Sequence, residues 1–403
     1  MSMLSIALLK IELREPLIIT RKIGKGGFYS SLNALPGSTI LGALSREAIL
    51  TNVRDRRGGC AGLGSPNDPP PCEGCTEADC PYIALWREHR VKISDALPSI
   101  GEGQKLGEAG AIPELQSIFK GKKSDILVDG LLFDAVQKMA LRGKAPRDPL
   151  RERLRINGEE VKRSPKTVSG HPSIDNGIRE VTNGSYSSTH VCIDPSFRAS
   201  KKGLLFSIEA HREGSVFLCN IVGEPVFIEK YVKDREVRLG ASKSRGYGLA
   251  HLKVMEEIPL ERYFEIRTRA IEKGFDEIQS LLSSYGVNTP IGTVTGLSPL
   301  PLVDRGSDLS PSQAVSERIG VPRSSLITLM YRRGVRPRWD GGFFVFTPSL
   351  NPGYAAAFTL QGDSRDEASR LARAEIELLA EIPGYGWIHV NHPVHYALRA
   401  SRE

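Results

Sequence analysis

The pattern Gly-Tyr-Gly-x-x-His occurs twice, at Gly246-Tyr247-Gly248-Leu249-Ala250-His251 and at Gly384-Tyr385-Gly386-Trp387-Ile388-His389. Each copy runs into strand-like residues. Paired glycines allow the positive φ that a tight turn into a strand requires. Such a turn, once mid-chain and once at the end, predicts two halves of one design, each closing on a glycine loop and a last strand. Chance recurrence is the alternative for so short a match. The length of 403 residues accommodates two domains, and the texture of the sequence changes after Glu257. The expected division is 1–255, closing on the glycine-rich loop 240–248, and 256–403, closing on a terminal glycine loop at 383–392.

Within the first half, Leu4–Leu13 carries apolar residues at successive positions, so it predicts a strand central to a sheet. A long basic loop follows, then a helix from Ser38, the natural N-cap, with Ile40, Leu41, Leu44 and Ala48 on its buried stripe. A Cys-, Pro- and Gly-rich insertion spans about 52–82, and a helix is expected near Ile83–Val91. The stretch from Lys120 to Thr167 is strongly basic. Gly203–His211 and Ser215–Val222 predict an antiparallel pair across Arg212-Glu213-Gly214, with His251–Val254 as the closing strand. In the second half, Glu261–Gly286 predicts one or two helices, Ile291–Val303 a Pro/Gly-punctuated connector, Val335–Leu350 a strand and Asp366–Gly384 a helix. The class is α+β.

The formal net charge of +7 favours a polyanionic partner. The apolar opening is interrupted by Lys10, Glu12 and Arg14, with no small-residue cleavage site after it. No run approaches the roughly 18 apolar residues of a membrane span. A cytoplasmic location is expected, where thiols stay reduced. Cys192 and Cys219 sit alone in strand-like segments and read as small core residues. Cys60, Cys72, Cys75 and Cys80 are spaced C-x11-C-x2-C-x4-C, a set that suits tetrahedral structural zinc. Such an ion would fold an insertion too small for its own core. Disulfides and a redox Cys-x-x-Cys are the alternatives.

The loop Gly240–Gly248 is the principal candidate site. Glycines at 240, 246 and 248 leave no Cβ in the way of close backbone approach, so N–H groups can meet phosphate oxygens. Lys243 and Arg245 add charge-assisted contacts, and Tyr247 offers a face for base stacking. The plainer reading is a tight turn with solvated charges. A second mixture of this kind is Arg332, Arg333, Arg336 and Arg338 with Tyr331 and Trp339, which suits a nucleic-acid or protein partner, or else a solvated loop.

The segment Ser242-Lys243-Ser244-Arg245-Gly246-Tyr247-Gly248 resembles the glycine-rich signature of the RAMP superfamily of CRISPR proteins. Pro36, Gly37, Ser38, Thr39, Gly42 and Arg46 resemble the segment that opens the first helix of that superfamily. With the ending Ile382–His395 and the cysteine insertion, the chain looks like the large Cas-five-like subunit of type III-D effector complexes. The first 255 residues and the last 20 or so carry the likeness. It implies two ferredoxin-like, RRM-related modules and a non-catalytic subunit that holds CRISPR guide RNA (crRNA). Such a subunit caps the 5′ repeat-derived tag and contacts the large and backbone subunits. The implied RNA contacts are Gly37 and Ser38 at a helix N-terminus, Arg46, and Lys243, Ser244, Arg245, Gly246, Tyr247 and Gly248. RNA-cutting members carry an aspartate after a Gly-Gly ahead of that helix. Here Gly26-Gly27 leads to Phe28, Tyr29, Ser30 and Ser31, with no carboxylate before Pro36. Two alternatives stand beside this reading. One is a metal-independent repeat-RNA endonuclease using His389, His392 or His395; the other is a zinc-stabilised protein-assembly module without RNA contact.

Overall fold

The computed structural model describes residues 4–23, 28–55, 91–99, 104–107, 113, 115–120, 127–141, 155–156, 159–160, 171–174, 178–181, 184–194, 199–283, 286–304, 307–339, 344–377 and 384–396. Helices and antiparallel sheets make an α+β protein. The chain forms two compact units, Met1–Ser99 with Thr182–Glu257, and Ile100–Val181 with Ile258–Glu403. The division after Glu257 lies two residues from the sequence expectation, but 100–181 joins the second unit.

In the first unit the strand Ser5–Leu13 is central, as its near-continuous burial requires. It pairs antiparallel with Val216–Gly223 on one side and lies beside Leu249–Pro259 on the other. Lys92–Ile93 extends the sheet past Val216–Gly223, and Arg235–Arg238 past Leu249–Pro259. The helix Gly37–Asp55 follows the first strand and the short helix Pro225–Tyr231 follows the third. Leu9, Ile11, Phe217 and Ile221 of the sheet form one core with Ile40, Leu41 and Leu44 of the first helix. A separate ribbon of Ser185–Asp194 and Ala199–His211 pairs with Phe28–Ser31. The strands ending at His211 and starting at Val216 are therefore not partners, contrary to the hairpin expected across Gly214. That glycine, at φ 78°, redirects the chain from the ribbon into the sheet.

The second unit orders its sheet as Leu326–Met330, Ala355–Thr359, Ile291–Gly296, Ile388–Val390. The helices Pro311–Ile319 and Ser364–Ala374 follow the first and third of these strands in chain order. The hairpin Arg333–Trp339 with Phe344–Leu350 is inserted before the third. The segment from Ile291, read from sequence as a connector, opens with an inner strand of this sheet. A Cβ on Gly292 would meet the Phe358 ring at 2.6 Å, and one on Gly296 the Tyr354 ring at 2.0 Å, so these glycines make room for aromatics rather than breaking a strand.

The two units repeat one plan, bond for bond. Gly214 N–H donates to Leu13 O and Gly353 N–H to Gly296 O, each at 2.8 Å. Gly248 N–H donates to Pro16 O and Gly386 N–H to Pro299 O, again at 2.8 Å. The Leu249 carbonyl accepts from Arg14 and Glu15, and the Trp387 carbonyl from Leu297 and Ser298. Even a side chain is mirrored: Leu249 N–H donates to Glu15 Oε2 at 3.2 Å and Trp387 N–H to Ser298 Oγ at 2.8 Å. The paired glycines share the left-handed region, with φ of 79° and 90° at 246 and 248, and 77° and 79° at 384 and 386. No helix among the described residues is long and apolar enough to cross a membrane.

Candidate nucleic-acid interface

The loop that closes the first unit stands open. Ser242, at φ 58°, starts a single 3-10 turn, Lys243–Arg245, and Gly246 ends it. Ser244, Arg245 and Gly246 are exposed, and Lys243 and Tyr247 are half-buried. Only Gly246 has the open surroundings that the sequence argument assigned to all three glycines: nothing lies within 4 Å of a Cβ built there. At Gly240 and Gly248 the close approach is to the chain itself, with such a Cβ 2.3 Å from Ile18 O and 2.0 Å from Leu239 O.

What shapes the loop is an ion pair that sequence reasoning missed. Arg238 forks onto Glu15, with Nη1 to Oε2 at 2.8 Å and Nη2 to Oε1 at 3.3 Å. The same Nη1 reaches the Lys243 and Tyr247 carbonyls at 3.3 and 3.4 Å. Arg238 therefore ties down the carbonyls of both ends of the turn. Its strand position beside a glycine loop was the available signal, but its carboxylate partner lies 223 residues away in sequence. Tyr186, from the ribbon, was missed too: its hydroxyl bonds that of Tyr247, and burial followed by that bond pushes the Tyr186 phenol above its usual range.

Arg46 and Lys243 come together as neighbouring cations. Burial, then the Arg46 charge, lowers the Lys243 ammonium below its usual range, with Glu47 acting in the opposite sense. Arg46 itself is exposed and lies 3.8 Å from Glu47. Gly37 and Ser38 are arranged differently from the sequence picture. The helix starts at Gly37, so Ser38 falls in its first turn, where it is exposed. The buried Gly37 N–H donates to Asp95 Oδ1 at 2.9 Å, so a distant carboxylate does the capping expected of Ser38.

The matching loop of the second unit is closed. Gly384, Tyr385, Gly386 and Trp387 are all buried, Tyr385 at 6% and Trp387 at 2% exposure. Buried Arg318 donates from Nε to the Gly386 carbonyl, and from Nη1 and Nη2 to the Ala374 and Glu375 carbonyls that end a helix. Burial lowers its guanidinium to about 10. The three C-terminal histidines are woven into the same interior. His395 joins Asp129 Oδ2 at 2.6 Å through Nδ1 and Thr295 Oγ1 at 2.8 Å through Nε2, and all three residues are buried. His392 Nδ1 accepts from Val394 N–H at 3.2 Å. Burial, then Arg267, then His392 hold His389 well below the ordinary histidine range, so its ring is neutral. Cys60, Cys72, Cys75 and Cys80 lie outside the described residues, as does the side chain of Cys192; Cys219 is buried in the first core. Among the described residues no group of three or more His, Cys, Asp or Glu is placed to hold a metal.

Fold and site define a class: an α+β protein of two equivalent units, one presenting an open basic glycine loop and the other a sealed copy. No protein-family model matches the chain, and no curated protein does. Among solved structures it is similar to a chain of a type III-B Cmr-beta complex bound to cognate target RNA and AMPPnP. The identity is 13%, over 91% of this chain and 94% of that one, with a TM-score of 0.40. A second cryo-EM structure of Cmr-beta with cognate target RNA gives 12%, the same coverage and 0.39. A chain of a type IV-B CRISPR complex gives 11%, over 62% of this chain and 90% of that one, at 0.31.

Proposed function

We propose that this chain is a non-catalytic RNA-binding subunit of a type III-like CRISPR effector complex. Its first unit holds crRNA through Lys243, Ser244, Arg245, Gly246, Tyr247 and Arg46, with Gly248 shaping the loop and Ser38 on the adjoining helix turn. The observation that carries this reading is the contrast between the two glycine loops. Both fold the same Gly-Tyr-Gly turn onto the same acceptors, Pro16 and Pro299. Where the first has Lys243, Ser244 and Arg245 ahead of it, the second has Glu381, Ile382 and Pro383. The turn folds without cations at the three positions ahead of it, so Lys243 and Arg245 serve something other than the turn itself. An exposed arginine with a half-buried lysine and a half-buried tyrosine suits a ribose-phosphate strand and its bases.

The strand order, with the last strand beside the first and the third between first and second in each unit, supports ferredoxin-like modules. Capping of the 5′ tag and contacts to the large and backbone subunits follow from the motif resemblance. A structural zinc on Cys60, Cys72, Cys75 and Cys80 is proposed from their C-x11-C-x2-C-x4-C spacing. The non-catalytic reading is supported by the burial of His395 and His392 and by the neutral His389.

The test uses the full chain and a fluorescein-labelled single-stranded RNA of mixed sequence. Lys243→Ala with Arg245→Ala should weaken binding about tenfold or more and flatten the log–log salt slope by about 1.4, for two phosphate contacts. Unchanged affinity and slope would overturn the proposal. An assembly that survives RNase in a native pull-down would favour the protein-only alternative.

A further inference from the structure

The hairpin Arg333–Trp339 with Phe344–Leu350 has no part in closing the second sheet, and its surface differs from the rest of that unit. It leaves the core at Leu350, which is fully buried opposite Arg333. Beyond that point its outer face opens. Val335 is 58% exposed and Phe346 67%, and Pro348, opposite Val335, is exposed as well. Cross-strand register sets Phe346 next to the Val335–Pro348 pair, so the side chains of Phe346, Val335 and Pro348 share one face. Just before the hairpin, Tyr331 is 40% exposed and Arg332 exposed, and Arg333 opens the strand itself.

The arginines are as unusual as the apolar groups. In this unit Arg267, Arg370 and Arg373 each meet a carboxylate, and Arg318 spends its donors on carbonyls. Arg332, Arg333 and Arg336 form no ion pair among the described residues, and the Nε of Arg336 is buried without a hydrogen-bond partner. From Val321 through Trp339 and from Phe344 to Gly362 the sequence contains no Asp or Glu. Asp340, between the two strands, is the one acidic residue from Val321 to Gly362, against Arg323, Arg332, Arg333, Arg336 and Arg338, so the sequence of this region carries a net positive charge.

From this geometry we infer that the 333–350 hairpin is a second binding surface for single-stranded RNA, separate from the 240–248 loop. The ligand must supply negative charge at short intervals together with flat apolar faces. A ribose-phosphate strand with unstacked bases does both: phosphates to Arg332 and Arg333, a base on Phe346 with Val335 beside it. A protein partner would instead favour a contiguous apolar centre with charges at the rim, and here cations adjoin a very small apolar patch. The inference rests on the reading of the chain as an RNA-binding subunit, but on different residues.

Full-length Phe346→Ala with Arg333→Ala is compared with wild type and with the Lys243→Ala, Arg245→Ala chain, using the same labelled RNA across a salt series. Loss of one stacked base and one phosphate contact should weaken binding about 10- to 100-fold and lower the salt slope by about 0.7. Because these side chains are exposed, the melting curve should match wild type. Arg332→Ala with Arg333→Ala provides a second variant that leaves the apolar residues in place, and it should lower the slope by about 1.4. Hairpin variants that bind like wild type while the loop variant fails would overturn this inference and leave the functional proposal standing. If wild type itself binds no RNA, both fall. Hairpin variants that keep RNA affinity but lose an RNase-resistant protein partner would also overturn it, in favour of protein docking.

Discussion

Two glycines two residues apart in the open loop should respond very differently to one added methyl. At Gly246, with φ 79°, the surroundings are empty, so alanine pays only for the left-handed backbone. That strain is about 1–2 kcal/mol, less about 0.4–1 kcal/mol returned through the stiffer unfolded chain, or about 1 kcal/mol net. At Gly248, with φ 90°, the same strain applies and the new Cβ would lie 2.0 Å from Leu239 O. The backbones must part by about an ångström to relieve that overlap. Parting them disrupts two 2.8 Å hydrogen bonds, Leu239 N–H to Gly248 O and Gly248 N–H to Pro16 O. At about 1 kcal/mol each these bring Gly248→Ala to about 3–4 kcal/mol. Hydrogen exchange read by mass spectrometry on peptides covering 235–259 measures the opening free energy in this unit alone, with peptides from 291–296 as internal control. Gly246→Ala should lower protection by only about 1 kcal/mol, against about 3–4 kcal/mol for Gly248→Ala, yet weaken RNA binding several-fold, because its methyl stands where a phosphate would approach. Equal loss of protection in the two variants would refute the assignment of Gly248 to the fold and Gly246 to the ligand.

Arg267 and Glu375 form a buried bidentate pair at 2.8 Å, and Glu375 Oε1 also accepts from Val390 N–H at 2.7 Å. Arg267→Met should cost about 3–5 kcal/mol of second-unit stability, and adding Glu375→Leu should recover part of it, as read by urea unfolding. His389 is neutral in the fold because its conjugate-acid pKa is depressed, so the unfolded chain takes up a proton that the native one refuses. Stability should fall as pH drops below about 6.5, by up to about 1.4 kcal/mol per pH unit from this residue, and His389→Gln should flatten that slope. Elemental analysis of the native protein should find about one zinc per chain, lost in Cys72→Ser; zinc near zero would remove the metal. Repeat RNA incubated with the protein should stay intact, and cleavage abolished by His395→Ala would revive the nuclease reading.

The parts of the fold legible in sequence were those with a local cause. Apolar residues at successive positions marked Ser5–Leu13 as central, and a 3–4 stripe marked the first helix. Doubled Gly-Tyr-Gly turns marked the two closures. What stayed hidden depended on distant partners. Gly292 and Gly296 looked like punctuation because the rings that fill their places come from about 60 residues on, Phe358 from another strand and Tyr354 from just before it. Ser38 looked like a cap because Asp95, which holds the Gly37 N–H, lies 58 residues on. Of the site, the cations Lys243 and Arg245 were visible as residue types, but the frame around them was not. Neither Arg238 with Glu15 nor Tyr186 carries a local pattern that a single sequence betrays.

The open loop and the closed one differ in how their carbonyls are held. A left-handed turn exposes carbonyls that need donors, and each unit supplies an arginine for them. In the second unit it is Arg318, on the helix after the first strand, which reaches the Gly386 carbonyl and is buried in doing so. In the first unit Arg238 does this work from the neighbouring strand, anchored by Glu15. Arg46, on the helix of the first unit, is exposed, and after burial its charge is what lowers the Lys243 ammonium. Neighbouring like charges are unfavourable until an anion lies between them, and Glu47, at 3.8 Å from Arg46, offsets this only in part. A phosphate at that point would relieve the repulsion and, by the same linkage, raise the Lys243 pKa. Lys243 titrated by NMR with and without RNA should therefore shift upward on binding, and a downward shift or none would separate Lys243 from the bound strand.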